Sequence, residues 1–166
     1  MGFYTGRSGR LFLLPILTEA PNPSTNPAVM NQAVLKIRDW SIDTSLELLE
    51  TTTIDTAVKS YTPGMVSATG SATVMYYRKE VGDVGTQFDE LLNKIMKTSS
   101  TGVTESDRVG MVLRVGAQSG VAPDVKDDIA FNAYITNASI TVGTGELTSV
   151  ALQFTVDGPF FELVDA

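Results

Sequence analysis

The strongest constraint on the fold of this chain is a period of two in its apolar residues, repeated in short runs. In Ala68 to Tyr77, Thr73, Met75 and Tyr77 alternate with Ala72, Val74 and Tyr76. In Arg108 to Val115, Val109, Met111, Leu113 and Val115 share one face, with Arg108, Gly110, Val112 and Arg114 on the other. Ile129, Phe131, Ala133 and Ile135 alternate, then Ala138, Ile140 and Val142 do so in the opposite phase, and Val150, Leu152, Phe154 and Val156 make a return face. Side chains point to opposite faces at successive strand positions, so these runs predict half-buried antiparallel strands. Gly143-Thr144-Gly145 supplies the turn of a closing hairpin, and Asp157-Gly158-Pro159 its stop. The phase change near Asn137 predicts a β-bulge or sharp bend.

The run Val34 to Asp43 is mixed. Leu35, Ile37, Asp39, Ser41 and Asp43 fall on one face, and Val34, Lys36, Arg38, Trp40 and Ile42 on the other. Neither face is cleanly apolar, which suits a strand partly covered by another subunit, or one that bulges. Leu46, Leu48 and Leu49 carry an apolar pattern into a threonine-rich connection, Glu50 to Thr56, and Lys59 to Gly64 ends it with a Pro-Gly turn. This stretch reads as a long projection from a β-framework.

The pattern changes period once. Phe88, Leu91, Leu92, Ile95 and Met96 make a single stripe at helical spacing, predicting an α-helix from Thr86 to Lys97. Thr86 caps it, Asp89 and Glu90 suit its positive end, and Lys94 and Lys97 its negative end. Thr98 to Asp107 and Gly116 to Asp128 read as polar loops, and Asp124, Asp127 and Asp128 as a solvated acidic cluster. The first 33 residues read as an extended arm: Leu11-Phe12-Leu13-Leu14-Pro15-Ile16-Leu17 is apolar, and three prolines between Pro21 and Pro27 exclude regular structure. Leu11, Phe12 and Leu14 would sit in water on a free tail, so the arm is expected to pack on the domain or on another subunit. The organisation expected is an arm, 1–33, and a single β-rich domain, 34–166, of the mainly β class with one flanking helix.

Composition excludes several chemistries. There is no cysteine, hence no disulfide, thiol nucleophile or thiolate metal ligand, and no histidine, which removes the commonest general base and zinc ligand. No serine sits in a nucleophile elbow. A carboxylate-based glycosidase would survive these absences, with Asp39, Asp43, Glu47 and Glu50 as candidates, but nothing selects a pair from nineteen acids. No cofactor or metal is called for, and the reading is non-enzymatic. Arg7 and Arg10 before the apolar run superficially suggest a secretory signal, but Pro15 interrupts it and Glu19 falls where small residues are needed. No run approaches the ~20 apolar residues of a spanning helix, so no membrane anchor is expected. Net charge is −7, and most of it lies after residue 85, where five basic residues face eleven acidic ones. That balance opposes affinity for phosphate backbones.

Trp40-Ser41-Ile42-Asp43-Thr44-Ser45, then Thr51-Thr52-Thr53 and Lys59-Ser60-Tyr61-Thr62-Pro63-Gly64, resemble the front half of the tail tube proteins of long-tailed phages. Ser67 to Val74 resembles that family's small-residue strand. Ile135 to Gly143 with Glu146 to Pro159 resembles its closing hairpin. The resemblance covers about two thirds of the chain and omits residues 1–33 and 116–128. It implies an antiparallel β-sandwich or barrel-like subunit that joins copies of itself into rings, usually of six, stacked as a hollow tube. Leu11, Phe12, Leu14, Leu46, Leu48, Leu49, Ile54 and Tyr61 would then make contacts between subunits or rings. Asp39, Asp43 and Glu146 would face an acidic lumen through which DNA slides. Implied partners are tape measure, tail terminator and baseplate proteins, with a sheath if the tail contracts. The implied location is the virion tail, assembled in the host cytoplasm. Other readings are a single-ring baseplate, distal tail or injection-system component and, from a different class, a soluble carbohydrate-active β-domain using Trp40, Tyr76 and Tyr77.

Overall fold

The computed structural model describes residues 9–19, 37–55, 57–75, 93, 95–98, 100–118 and 125–163. They form six strands: β1 (Arg10–Leu14), β2 (Ile37–Glu50), β3 (Tyr61–Met75), β4 (Val109–Gln118), β5 (Val125–Thr141) and β6 (Ser149–Glu162). All belong to one sheet in the order β1-β4-β5-β6-β3-β2, and every neighbouring pair is antiparallel. The sheet coils back on itself. Its two edges approach where Gly9 and Arg10 face Ile37, Arg38 and Trp40 across a cleft. The larger of two apolar clusters gathers residues from both halves: Leu11 and Leu13 of β1, Met111 and Leu113 of β4, Phe131 of β5, Phe154 of β6 and Val74 of β3. Phe131 anchors it, stacking on Phe154 and meeting Phe160 edge to face, each at 5.7 Å between centroids.

The alternating runs are strands, and each is longer than its apolar pattern. β3 starts at Tyr61, not Ala68, and runs through the Pro63-Gly64 expected to turn. It can do so because the register against β2 shifts between Leu46 and Leu48, leaving an extra residue on β3 at the proline. β6 likewise runs through Asp157-Gly158-Pro159. Gly158 takes φ +87° there, and the pairing with β5 is interrupted rather than ended. The bend expected near Asn137 is present: Ile135 pairs with Phe154 and Asn137 with Gln153, leaving Thr136 as the bulged residue.

Three expectations are refined or corrected. Leu11, Phe12 and Leu14 belong to β1 and lie in the chain's own core, Leu11 fully and the others nearly so; of the two covers expected for them, the domain and another subunit, it is the domain that buries them. The sequence marks them as apolar but cannot say that their partner is β4. Pro15 ends β1 by lacking an amide donor. Buried Asn132 takes over from the ladder, its Oδ1 accepting from the Leu17 amide at 2.7 Å and its Nδ2 donating to the Leu17 carbonyl at 2.9 Å. Second, Asp127 and Asp128 are buried strand residues of β5, not a solvated loop; Asp124 lies outside the described residues. Asp128 accepts two hydrogen bonds from Arg114, at 2.7 and 2.9 Å, and the guanidinium also lies 4.7 Å from the Phe12 ring centroid.

Third, no α-helix occurs among the described residues. The expected helix at 86–97 lies mostly outside them; Asn93 and Ile95 are in turns, and Met96 and Lys97 in irregular backbone. Ile95 nevertheless packs on the core, as its place in the apolar stripe requires. Lys97 donates to Asp107, which also accepts from the Thr104 amide at 2.8 Å. The Lys97 hydrogen bond, then that of Thr104, holds the Asp107 carboxyl below its ordinary value of 3.8. An acid whose pKa is lowered by folding stabilises the fold above its unfolded value, and that contribution disappears as pH falls through the folded one. The difference in thermal midpoint between wild type and Asp107→Asn is therefore expected to be constant near neutrality. It should shrink as the pH drops below about 4.

Candidate assembly surface

β3 pairs with β6 only from Thr69 to Met75. Beyond that point β2 and β3 continue alone, so Thr44–Glu50 and Tyr61–Ala68 form a two-stranded ribbon with no third strand among the described residues. Such a ribbon is marginally stable in water. Hydroxyl contacts staple this one: Ser45 Oγ to Ser67 Oγ at 2.8 Å, and Thr51 Oγ1 to Ser60 Oγ at 3.1 Å. The Thr51 amide donates to the Ser60 carbonyl at 2.9 Å, and the Ser60 amide to Thr52 Oγ1 at 3.0 Å. The threonine run thus closes the ribbon tip.

The ribbon's side chains contradict a monomer's needs. Leu46, Leu48, Leu49 and Tyr61 are about half exposed; Val58, Met65 and Val66 are exposed further, and Ile54 is 104% exposed. An apolar surface this dense, on an element without a core of its own, makes the ribbon a candidate interaction site. Leu46, Leu48, Leu49, Ile54 and Tyr61 were all legible as contact candidates. Met65 and Val66 were not, because Pro63-Gly64 reads as the end of the projection; Val58 lies inside it, a lone large apolar residue among small and polar ones.

The hairpin has a second surface nearer the body. Trp40 and Ile42 pack on the core. Asp39, Ser41 and Asp43 alternate with them and therefore lie on the opposite face. Ser41 and Asp43 border a groove with Thr69, Ser71, Gln153 and Thr155 of β3 and β6, and Ser41 Oγ and Ser71 Oγ are 3.0 Å apart. The groove's lining carries no basic side chain. Glu146 is not on this face: it lies in the turn between β5 and β6, exposed. Trp40 is half-buried and packs on the core; Tyr76 and Tyr77 lie outside the described residues.

No protein-family model and no curated protein matches the chain. Solved structures do. The tail tube of SPP1 matches with a TM-score of 0.58 over 97% of this chain and 79% of its own, at 13% identity. The chain has the tail tube fold. The tail of an empty gene transfer agent particle, refined with C6 symmetry, shares it with a TM-score of 0.55, 13% identity and coverage of 93% and 96%. So does a chain of the sheath–tube complex of an extracellular contractile injection system, PVC, in its extended state, at 0.55, 10% identity and coverage of 93% and 89%. Within the tail tube fold of this chain, the exposed ribbon and the polar face are two of the surfaces that packing among the described residues leaves uncommitted.

Proposed function

We propose that this chain is the repeating subunit of a hollow tail tube. Copies join side by side into rings, six by analogy with the C6 gene transfer agent tail, and the rings stack. The observation that carries this reading is the ribbon: an exposed apolar extension on a tail tube fold, with no cover among the described residues. Free edges at β1 and β2 supply donors and acceptors for lateral joining, which removes the hazard that open edges present to a lone protein. The face bearing Asp39, Ser41 and Asp43 lines the bore. Acids and hydroxyls there repel a polyanion and offer it no cation to grip, so DNA passes without binding. Tape measure, terminator and baseplate proteins, and a sheath in a contractile system, would complete the particle.

Negative-stain electron microscopy across a concentration series tests this directly. Hollow tubes of uniform width and variable length are expected. Single rings that never stack would favour a baseplate-type component, and particles that stay monomeric at every concentration would overturn the reading.

A further inference from the structure

The sheet carries a second exposed apolar patch, and its position assigns the ribbon a partner. In the turn between β5 and β6, Val142 is 76% exposed and Leu147 81%, with Ile140 beside them on the last stretch of β5. β3 starts at the ribbon tip with Tyr61 and ends at Met75, which pairs with Ser149, the first residue of β6 beyond this turn. The two hairpins therefore point in opposite directions. The ribbon and the turn stand at opposite ends of one sheet, separated along the 15-residue β3 by about 46 Å at ~3.3 Å per residue step. They cannot cover each other within one copy.

We infer, on the basis of the tube reading, that the apolar ribbon tip of one copy docks on the β5–β6 turn of a copy in the next ring, with Lys59 meeting Glu146. Charge selects this pairing. Glu146 is the one charged residue between Ile140 and Ser149, and it forms no ion pair with any described residue. Lys59 is the one basic residue between Thr44 and Ala68; its side chain is 69% exposed and reaches Glu50 only at 3.9 Å. Docking tip against tip would instead bring Glu47, Glu50 and Asp55 of two copies together, like against like. Ribbon on turn is a heterologous contact: it leaves a free ribbon at one end and a free turn at the other, and so repeats without closing. Glu146 then belongs to the contact between rings and not to the bore.

The chain has no cysteine, which makes the test clean. The double variant Lys59→Cys, Glu146→Cys, assembled and treated with a short bis-maleimide, is expected to give a ladder of covalent multimers on a denaturing gel, and each single variant none. Charge reversal by Lys59→Glu or Glu146→Lys should raise the concentration needed for assembly several-fold, and combining the two should restore it. Wild-type tubes alongside a double cysteine variant that gives no ladder would overturn the docking while the tube reading stands. Cross-linked dimers from Lys59→Cys alone would place tip against tip and overturn it as well. A wild-type protein that forms no tube at any concentration would overturn the tube reading and this inference with it.

Discussion

Asp128→Ala is expected to destabilise the folded subunit by about 3–5 kcal/mol. The side chains of Arg114 and Asp128 are only 12% and 5% exposed, and the carboxylate takes two hydrogen bonds from the guanidinium. Arg10, Arg114 and Asp128 are register partners across β1, β4 and β5, so the acid balances a row that otherwise holds two cations. Removing it leaves a buried guanidinium with the face of Phe12 as compensation, and a cation–π contact is worth only about 0.5–2 kcal/mol. Urea denaturation should show the midpoint moving at constant slope. Replacing both partners, as Arg114→Met with Asp128→Leu, should recover most of the loss, because the cost lies in the orphaned charge. A loss below about 1 kcal/mol for Asp128→Ala would mean that water reaches the pair.

The second large effect falls on assembly alone. Leu48→Glu and Ile54→Glu are each expected to block tube formation at concentrations where the wild type assembles, while leaving the circular dichroism spectrum and thermal midpoint of the subunit unchanged. Both side chains are already in water in the single copy, so a carboxylate there costs the fold little. In the assembled contact the same carboxylate is desolvated without a partner. A penalty of about 3 kcal/mol per copy raises the concentration needed about 100-fold. Loss of the folded signal in either variant would instead place the ribbon in the subunit's core.

The alternation of Val109 to Val115 and of Val150 to Val156 made β4 and β6 readable because those strands bury one clean face. Where strands leave the body, the sequence misleads. Pro63-Gly64 reads as a turn in any local scan, and only the register shift against Leu46 and Leu48 shows how a strand passes through it. Asp128 reads as solvated because its neutralising partner, Arg114, is on another strand. Leu11 to Leu14 declared their need for cover but not its source, since pairing with β4 is a contact about a hundred residues away in sequence. The exposed apolar side chains of the ribbon were legible for a simpler reason: too many leucines lie in a stretch too polar to make a core.

The opposed hairpins have a consequence for any stack of these copies. Its two faces differ chemically. In the docking proposed above, one is a crown of projecting apolar ribbons and the other a floor of short turns that receives them. Growth at the two ends is then unequal in rate, and a terminating protein must imitate the floor at one end and the crown at the other. A cap made for one end will not fit the other, so the rod carries a sense of direction in its own sheet.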